Sequence, residues 1–261
     1  WRRRMKITYI HHSCFVIEIE DCIFIFDYYK GELPKFDKDK RIIFFVSHGH
    51  NDHFNPNIYQ YAEYNPYVTY VLSDDVRHSL SFAVRLGTGG ENTIFVDNDQ
   101  LLYLNVDNRG ISKKEGGSRD IKIETLKSTD EGVAFLIEYA GRSIYFAGDL
   151  NWWSWIGESE ADRERREREY KHEMSKINKR HFDVAFVVLD PRQEEHYWWG
   201  MNEFMRTANA DVVFPIHFWK DYKLIQKFKD GESSQDYKNK IMSIYEEGQV
   251  FEISDIRGEE K

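Results

Sequence analysis

The sequence has few of the features that mark secreted or membrane proteins. Only two of its 261 residues are cysteines, Cys14 and Cys22, in the hairpin-like stretch "CFVIEIEDCIFIFD". A turn near Glu20 and Asp21 would place neither thiol opposite the other, so we predict free core thiols rather than a disulfide. No apolar run approaches the roughly 20 residues of a membrane span, and "WRRRMKITYI" lacks the apolar segment of a secretion signal. These absences predict a cytoplasmic protein without stable membrane insertion.

Positive charge is also in short supply. The chain carries 36 Lys and Arg residues against 45 Asp and Glu residues, which gives a net charge of −9. Phosphate backbones repel an acidic protein, so a nucleic acid is not an expected partner. The sequence shows neither a repeat of fixed period nor a low-complexity linker. Its 41% hydrophobic content can fill one large core, and we predict a single domain over residues 1–261.

Short apolar runs that are typical of strands recur along the chain. They are Lys6–Ile10, Cys14–Ile19, Ile23–Phe26, Ile42–Val46, Tyr67–Leu72, Thr93–Val96, Leu101–Leu104, Ile121–Leu126, Val133–Tyr139, Ser143–Ala147, "DVAFVVLD", "DVVFPIHF" and Val250–Ile253. A helix is predicted at Asp74–Leu86, and others after Gly200 and Asp221. The charge run "ESEADRERREREYKHEMSKINKR" predicts a solvated helix over about Glu158–Lys179.

A dense cluster of metal-binding residue types follows one of these runs. In "RIIFFVSHGHNDHF", His48, His50, Asp52 and His53 fall within six positions. With 10 histidines in 261 residues, a window of this length should hold about a quarter of one. Imidazole nitrogen and carboxylate oxygen are the donors that zinc, iron and manganese accept, so the cluster predicts a metal site.

Five segments in order resemble the metallo-β-lactamase superfamily. They are "IFIFD" ending at Asp27, "SHGHNDH", "STDEGVAFLIE", "FAGDLN" and "FPIHFW". The resemblance implies an α/β (α+β) fold, the four-layer αβ/βα sandwich of two mixed sheets with helices outside.

The resemblance also implies a ligand set. His48 and His50 would hold a first ion, and Asp52, His53 and His217 a second, with Asp149 bridging the two. The third histidine of the first site is missing, because Thr129 stands at its position. Three possibilities remain: Asp130 supplies a carboxylate instead, the first site is weakened or empty, or another histidine such as His196 replaces it.

Other candidate site residues lie outside the ligand set. The opening "YIHHSCFVIE" resembles the branch with ascorbate 6-phosphate lactonase and the N-acylphosphatidylethanolamine phospholipase D enzymes. It suggests a pocket role for His12, although hairpin packing explains that residue equally well. Asp52, His12 and His196 are predicted to be catalytic, and Asp52 is also a predicted metal ligand. His196 is expected to contact the substrate. Tryptophans crowd the metal motifs, and four are predicted to line a substrate pocket: Trp152, Trp153, Trp198 and Trp219.

The function expected from this resemblance is metal-dependent hydrolysis. A metal-activated hydroxide would attack an ester, lactone, amide or phosphoester of a small molecule. One or two zinc ions are expected, with iron or manganese as alternatives. Two other functions stay open: an iron-dependent oxidoreductase, since His48, His50 and Asp149 form a two-histidine, one-carboxylate set, and a non-catalytic metal-binding protein.

Overall fold

The computed structural model describes residues 4–79, 92–105, 111–112 and 120–254, the pair 111–112 by its backbone alone. Its strands form two sheets of seven. The first sheet has the strand order β14-β1-β2-β3-β4-β5-β6. These strands are β1 (Met5–His11), β2 (Cys14–Ile19), β3 (Cys22–Phe26), β4 (Arg41–Val46), β5 (Val68–Ser73), β6 (Thr93–Val96) and β14 (Val250–Ile253).

The second sheet has the order β13-β12-β11-β10-β9-β7-β8. Its strands are β7 (Leu101–Leu104), β8 (Ile111–Ser112), β9 (Ile121–Lys127), β10 (Val133–Tyr139), β11 (Arg142–Phe146), β12 (His181–Val188) and β13 (Asn209–Ile216). The α-helices among the described residues are α1 (Tyr61–Tyr64), α2 (Val76–Ser79), α3 (Glu160–Lys176), α4 (Trp199–Thr207) and α5 (Tyr222–Asp230).

The two sheets pack face to face through aromatic side chains. Phe26 of β3 stacks on Phe146 of β11, with ring centroids 4.6 Å apart, and Phe15 contacts Phe186 at 4.8 Å. Helices cover the outer faces: Tyr61 of α1 packs on Phe44, and α4 packs against the second sheet. The sandwich predicted from the sequence is therefore confirmed.

Several local predictions can be compared with these elements. Cys14 and Cys22 are both buried and free, as predicted. The helix predicted at Asp74–Leu86 is present as Val76–Ser79, and residues 80–91 lie outside the described part of the chain. The charge run forms α3, which begins after Ser159, whose side chain accepts a hydrogen bond from the backbone N–H of Asp162. None of the helices in the described ranges is both long enough and apolar enough to cross a membrane.

The strand directions decide where functional side chains can meet. Strands β3 to β6 run parallel to one another, and so do β11 to β13. Parallel strands place their carboxyl ends at one edge of a sheet, where ligand sites commonly form. The polar residues that follow such ends are Asp27, His48, Asp149, Asp190 and His217.

Candidate metal centre

Four predicted ligands form a first group at this edge. One ligand atom from each of His48, His50, Asp130 and Asp149 lies within 4.8 Å of the others. His48 Nε2 is 3.0 Å from His50 Nδ1 and 3.6 Å from Asp149 Oδ2. His50 Nδ1 is 3.7 Å from Asp130 Oδ2. The side chains of His50 and Asp130 are 43% and 47% exposed, so this group opens to solvent.

A second group lies deeper and contains three imidazoles. Ligand atoms of His12, Asp52, His53 and His217 also lie within 4.8 Å of one another. Asp52 Oδ2 is 3.5 Å from His12 Nε2, 4.0 Å from His53 Nε2 and 3.8 Å from His217 Nε2. The three histidines are buried. His12 enters this group because the turn between β1 and β2 stands at the same edge of the sandwich.

Asp149 stands between the two groups. Its Oδ2 faces His48, whereas its Oδ1 is 3.3 Å from His53 Nε2 and 3.4 Å from His217 Nε2. One carboxylate thus presents an oxygen to each group, which is the arrangement that a bridging ligand requires.

Buried carboxylates orient the imidazoles from behind. His53 Nδ1 donates to Asp27 Oδ2 at 2.7 Å, and His217 Nδ1 donates to Asp190 Oδ2 at 2.8 Å. Asp27 also accepts the backbone N–H of Ser47 at 2.7 Å and its hydroxyl at 2.6 Å. With Nδ1 protonated, each ring directs the lone pair of Nε2 into the site.

The atoms that face the site lack partners within the described part of the protein. His12 Nε2, His53 Nε2, His217 Nε2 and Asp149 Oδ1 are buried and accept or donate no hydrogen bond. A buried polar atom without a partner is costly, and four neighbouring residues with such atoms are rare in a folded protein. A divalent cation in the second group would satisfy the three imidazole nitrogens, and Asp149 Oδ1 stands beside two of them, so these residues fit a metal ion.

The protonation states suit the same role. Burial lowers the pKa of His48 and of His53 well below the usual value, and it also lowers the pKa of His217. The rings are therefore neutral near pH 7, as ligands must be. Burial raises the pKa of Asp149 well above its ordinary value, and the charges of Asp130 and Asp52 raise it further. A cation bound beside Asp149 would lower the pKa of this carboxyl group again and so stabilise its charged form.

Thr129 takes no part in either group. Its hydroxyl donates to the carbonyl of Asn151 at 2.6 Å and accepts the N–H of the same residue at 3.0 Å. Asp130, the next residue, points toward His50 instead. The position that should supply a third histidine to the first group is thus used for a contact between loops.

A cavity of about 330 Å³ lies against the metal groups. Its lining includes His50, Asp52, Asp130, Asp149, Trp153, Trp155, Arg166, Arg192 and His217. Trp153 donates from Nε1 to the carbonyl of Asp149 at 3.0 Å and stacks on Trp155 with ring centroids 5.6 Å apart. Trp219 lies beside His12 at 4.4 Å. Indole rings therefore border the site on two sides.

The structure does not bring the remaining predicted residues to the cavity. Trp152 contacts Trp199 and Lys171, and Trp198 packs against the core. His196 stacks on Trp199 at 3.9 Å, and its nearest carboxylate is that of Glu195. The predicted roles of Trp152, Trp198 and His196 in substrate binding or catalysis therefore find no support in the geometry.

Other residues at the site had not been predicted as part of it. Asp190 follows the strand-like "FVVLD" as Asp27 follows "IFIFD", and this similarity could have identified it. Trp155 is one of the tryptophans that crowd the metal motifs, although it was not among the four predicted to line the pocket, and Arg192 is close in sequence to the predicted His196. Arg166 lies in the charge run, where nothing in the pattern distinguishes it from its neighbours.

Comparisons with known proteins agree with this architecture. Residues 6–153 match the family described as the beta-lactamase superfamily domain. No curated protein sequence is significantly similar to the chain. Igni18, a metallo hydrolase from Ignicoccus hospitalis, has a similar structure, with a TM-score of 0.63, 17% identity and coverage of 96% of this chain and 99% of that chain.

Two further solved structures have similar folds. YhfI from Bacillus subtilis, a metallo-beta-lactamase fold protein, gives a TM-score of 0.58 at 14% identity, covering 96% of this chain and 99% of that chain. CmlA, a diiron beta-hydroxylase from Streptomyces venezuelae, gives 0.56 at 11% identity, covering 97% of this chain and 54% of that chain. At these identities the likeness concerns the fold alone. The family match spans more than half of the chain, and the chain therefore belongs to the beta-lactamase superfamily.

Proposed function

We propose that the protein is a metal-dependent hydrolase that cleaves an ester, lactone, amide or phosphoester of a small molecule. The observation that carries this proposal is a group of three buried imidazoles whose unpartnered Nε2 atoms lie with Asp52 at the cavity that Asp52, Asp149 and His217 line. Asp149 belongs to the first ligand group and also presents Oδ1 to His53 and His217 of the second, an arrangement that suits two cations acting on one substrate.

The chemistry of such a site follows from the cation and the residues around it. A bound divalent cation supplies a Lewis acid and makes hydroxide available near neutral pH. Asp52 lines the cavity, and its Oδ2 lies beside His12 and His217. It can orient an attacking water and accept a proton at Oδ2. Trp153 and Trp155 border the same cavity and offer apolar surface to a bound substrate.

The two ligand groups favour different ions. The second group offers three imidazoles and Asp52, with Asp149 beside two of the imidazoles, and zinc suits such a set. In the first group, Asp130 stands in for an imidazole, and a hard carboxylate tilts the preference toward manganese or iron. We propose zinc in the second group, and a more weakly held ion in the first.

The test combines metal analysis with turnover. We expect protein purified from its own host to carry a divalent metal and to hydrolyse members of an ester, lactone, amide and phosphoester panel. His50→Ala and His53→Ala should abolish this activity without unfolding the chain, while the surface variant His181→Ala should retain it. If both site variants keep full turnover, the assignment of the site is wrong; stable metal binding without turnover would favour a non-catalytic role.

A second candidate is an iron-dependent oxidoreductase. His48, His50, Asp130 and Asp149 pair two imidazoles with two carboxylates, and such sets suit iron and oxygen chemistry. The diiron hydroxylase CmlA has a similar fold. Iron in place of zinc in the purified protein, with a visible absorption change on exposure to oxygen, would favour this function over hydrolysis.

A further inference from the structure

Two arginines line the cavity beside the candidate metal centre. Arg166 comes from α3, and Arg192 follows β12, so two separate elements deliver them to one place. The chain as a whole is acidic, and the same cavity contains Asp52, Asp130 and Asp149. Two positively charged guanidinium groups thus line a cavity whose other charged residues are carboxylates.

Arg192 is held rigidly by one edge of its guanidinium group. Nε lies 3.0 and 2.9 Å from the two oxygens of Asp190, and Nη2 donates to Asp190 Oδ2 at 2.5 Å. The group also lies over the ring of Trp219, 4.8 Å from its centroid. Among the described residues, Nη1 has no hydrogen-bond partner. The buried carboxylate of Asp190 therefore fixes one edge of the guanidinium group, and Nη1 remains able to donate hydrogen bonds to a ligand.

Arg166 repeats this arrangement on the other element. Its Nε donates to Glu158 Oε1 at 2.5 Å, and Glu158 Oε2 accepts the backbone N–H of Trp155 at 3.0 Å. Within the described ranges, both Nη atoms of Arg166 lack a hydrogen-bond partner. Glu158 thus ties the arginine to the loop that carries the stacked indoles Trp153 and Trp155.

We propose that Arg166 and Arg192 form an anion subsite that binds a carboxylate or phosphate group of the substrate. A guanidinium group offers paired N–H donors that match these oxyanions, and fixing one edge lowers the entropy lost on binding. The stacked Trp153 and Trp155 provide an apolar surface for the rest of the molecule. The cavity of about 330 Å³ suits a small molecule.

This proposal rests on the proposed function and names its substrate class: a small anionic molecule with an apolar part. The carboxylates of the cavity repel an anion unless cations balance them, so the subsite is expected to operate in the metal-loaded protein.

The test measures anion binding to the metal-loaded protein without requiring turnover. Inorganic phosphate, benzoate and neutral benzamide are titrated separately, and binding is followed by calorimetry and indole fluorescence. The variants are Arg166→Gln and Arg192→Lys. Arg165→Gln is the matched control, because Arg165 precedes Arg166 on α3, pairs with Asp162 and Glu169, and does not line the cavity. Circular dichroism and metal content verify that each variant is folded and loaded.

We expect Arg166→Gln to weaken the binding of the preferred anion at least about tenfold, the size of effect typical of a hydrogen bond between charged groups. Arg192→Lys keeps the positive charge but loses the paired N–H donors of the guanidinium group, so it should weaken anion binding to a lesser degree. Benzamide binding and the Arg165→Gln control should not change. Tighter binding of phosphate than benzoate would indicate a phosphate-bearing substrate, and the reverse order a carboxylate.

Unchanged anion binding in Arg166→Gln would overturn the proposal, because the anion would then be held by the metal ions alone. So would the absence of anion binding to the wild type, or an equal loss in Arg165→Gln. Anion binding that depends on the arginines in a protein that hydrolyses nothing would overturn the hydrolase assignment and leave the subsite intact.

Discussion

The Thr129 side-chain hydroxyl makes two hydrogen bonds with Asn151, one to its backbone carbonyl and one from its backbone N–H. Thr129 Oγ1 lies 2.6 Å from the Asn151 carbonyl and 3.0 Å from its backbone nitrogen. Asn151 is buried and follows Asp149 by two residues. The threonine that replaces an expected ligand thus supports the loop that carries the bridging carboxylate.

Replacing Thr129 should therefore affect stability more than metal content. We expect Thr129→Val to lower the free energy of unfolding by about 1–2 kcal/mol, because two hydrogen bonds are lost. Thr69→Val is the control. The buried Thr69 hydroxyl has no hydrogen-bond partner in the described structure, so its removal should change the free energy of unfolding little. Urea unfolding measures both variants. Loss of a metal ion from Thr129→Val without any loss of stability would contradict the structural role.

The carboxylate of Asp130 is expected to hold the weaker ion. Asp130→Asn should remove metal from the first group and leave the second occupied, because Asp130 belongs only to the first. Elemental analysis after dialysis against a chelator should find fewer than two tightly held ions in the wild type and fewer still in the variant. The control is Glu138→Gln, whose carboxylate pairs with Lys122 and belongs to neither ligand group, so it should match the wild type. An equal loss of metal in that variant would mean that Asp130 acts through its charge and not as a ligand.

Adjacent histidines provide a matched pair for the second group. His12 Nε2 faces Asp52, whereas His11 Nδ1 pairs with Glu247, outside both ligand groups. We expect His12→Ala to weaken zinc binding at least about tenfold, the lower end of the loss seen for supporting residues, and His11→Ala to leave it unchanged. Competition with a chromogenic chelator measures the affinity. Equal affinities in the two variants would remove His12 from the ligand set.

The buried acid behind His217 can be tested in the same way. Asp190→Asn removes the carboxylate that accepts from His217 Nδ1, and we expect metal affinity to fall about 10- to 100-fold. Asp211 pairs at 2.8 Å with His181, which lies outside the ligand groups, so Asp211→Asn should not change metal affinity. A similar loss in both variants would indicate a general effect of charge rather than orientation of His217.

Gly132 lets the two sheets approach at the metal loop. It adopts a φ of +69°, and a Cβ there would stand 1.9 Å from the carbonyl oxygen of Ser47. Gly141 has a φ of +76° with nothing within 4 Å of such a Cβ. We expect Gly141→Ala to cost about 1 kcal/mol of stability, and Gly132→Ala at least about 1–3 kcal/mol more, because Ser47 and His48 must shift. Thermal unfolding should separate the two; equal melting temperatures would contradict the contact.

The sequence alone determined the features that depend on local pattern. Alternating and continuous apolar runs predicted most strands, and a run of donors in six positions identified the metal loop from His48 to His53. The resemblance of five short segments, including those with Asp149 and His217, to the metallo-β-lactamase superfamily then implied the fold. Each of these signals lies within a few consecutive residues, where period and side-chain chemistry can be interpreted directly.

Only the tertiary structure decided which residues complete the site. His12 and His217 come from opposite ends of the chain, and they meet because strand ends of both sheets share one edge. Thr129 and Asp130 are neighbours, yet one side chain pairs with Asn151 while the other faces His50. Arg166 resembles every other arginine of its charged helix until the packing of α3 places it at the cavity. The direction of a side chain and the partner that it contacts depend on packing between segments that are distant in sequence. The local hydrophobic pattern of the sequence carries no information about that packing.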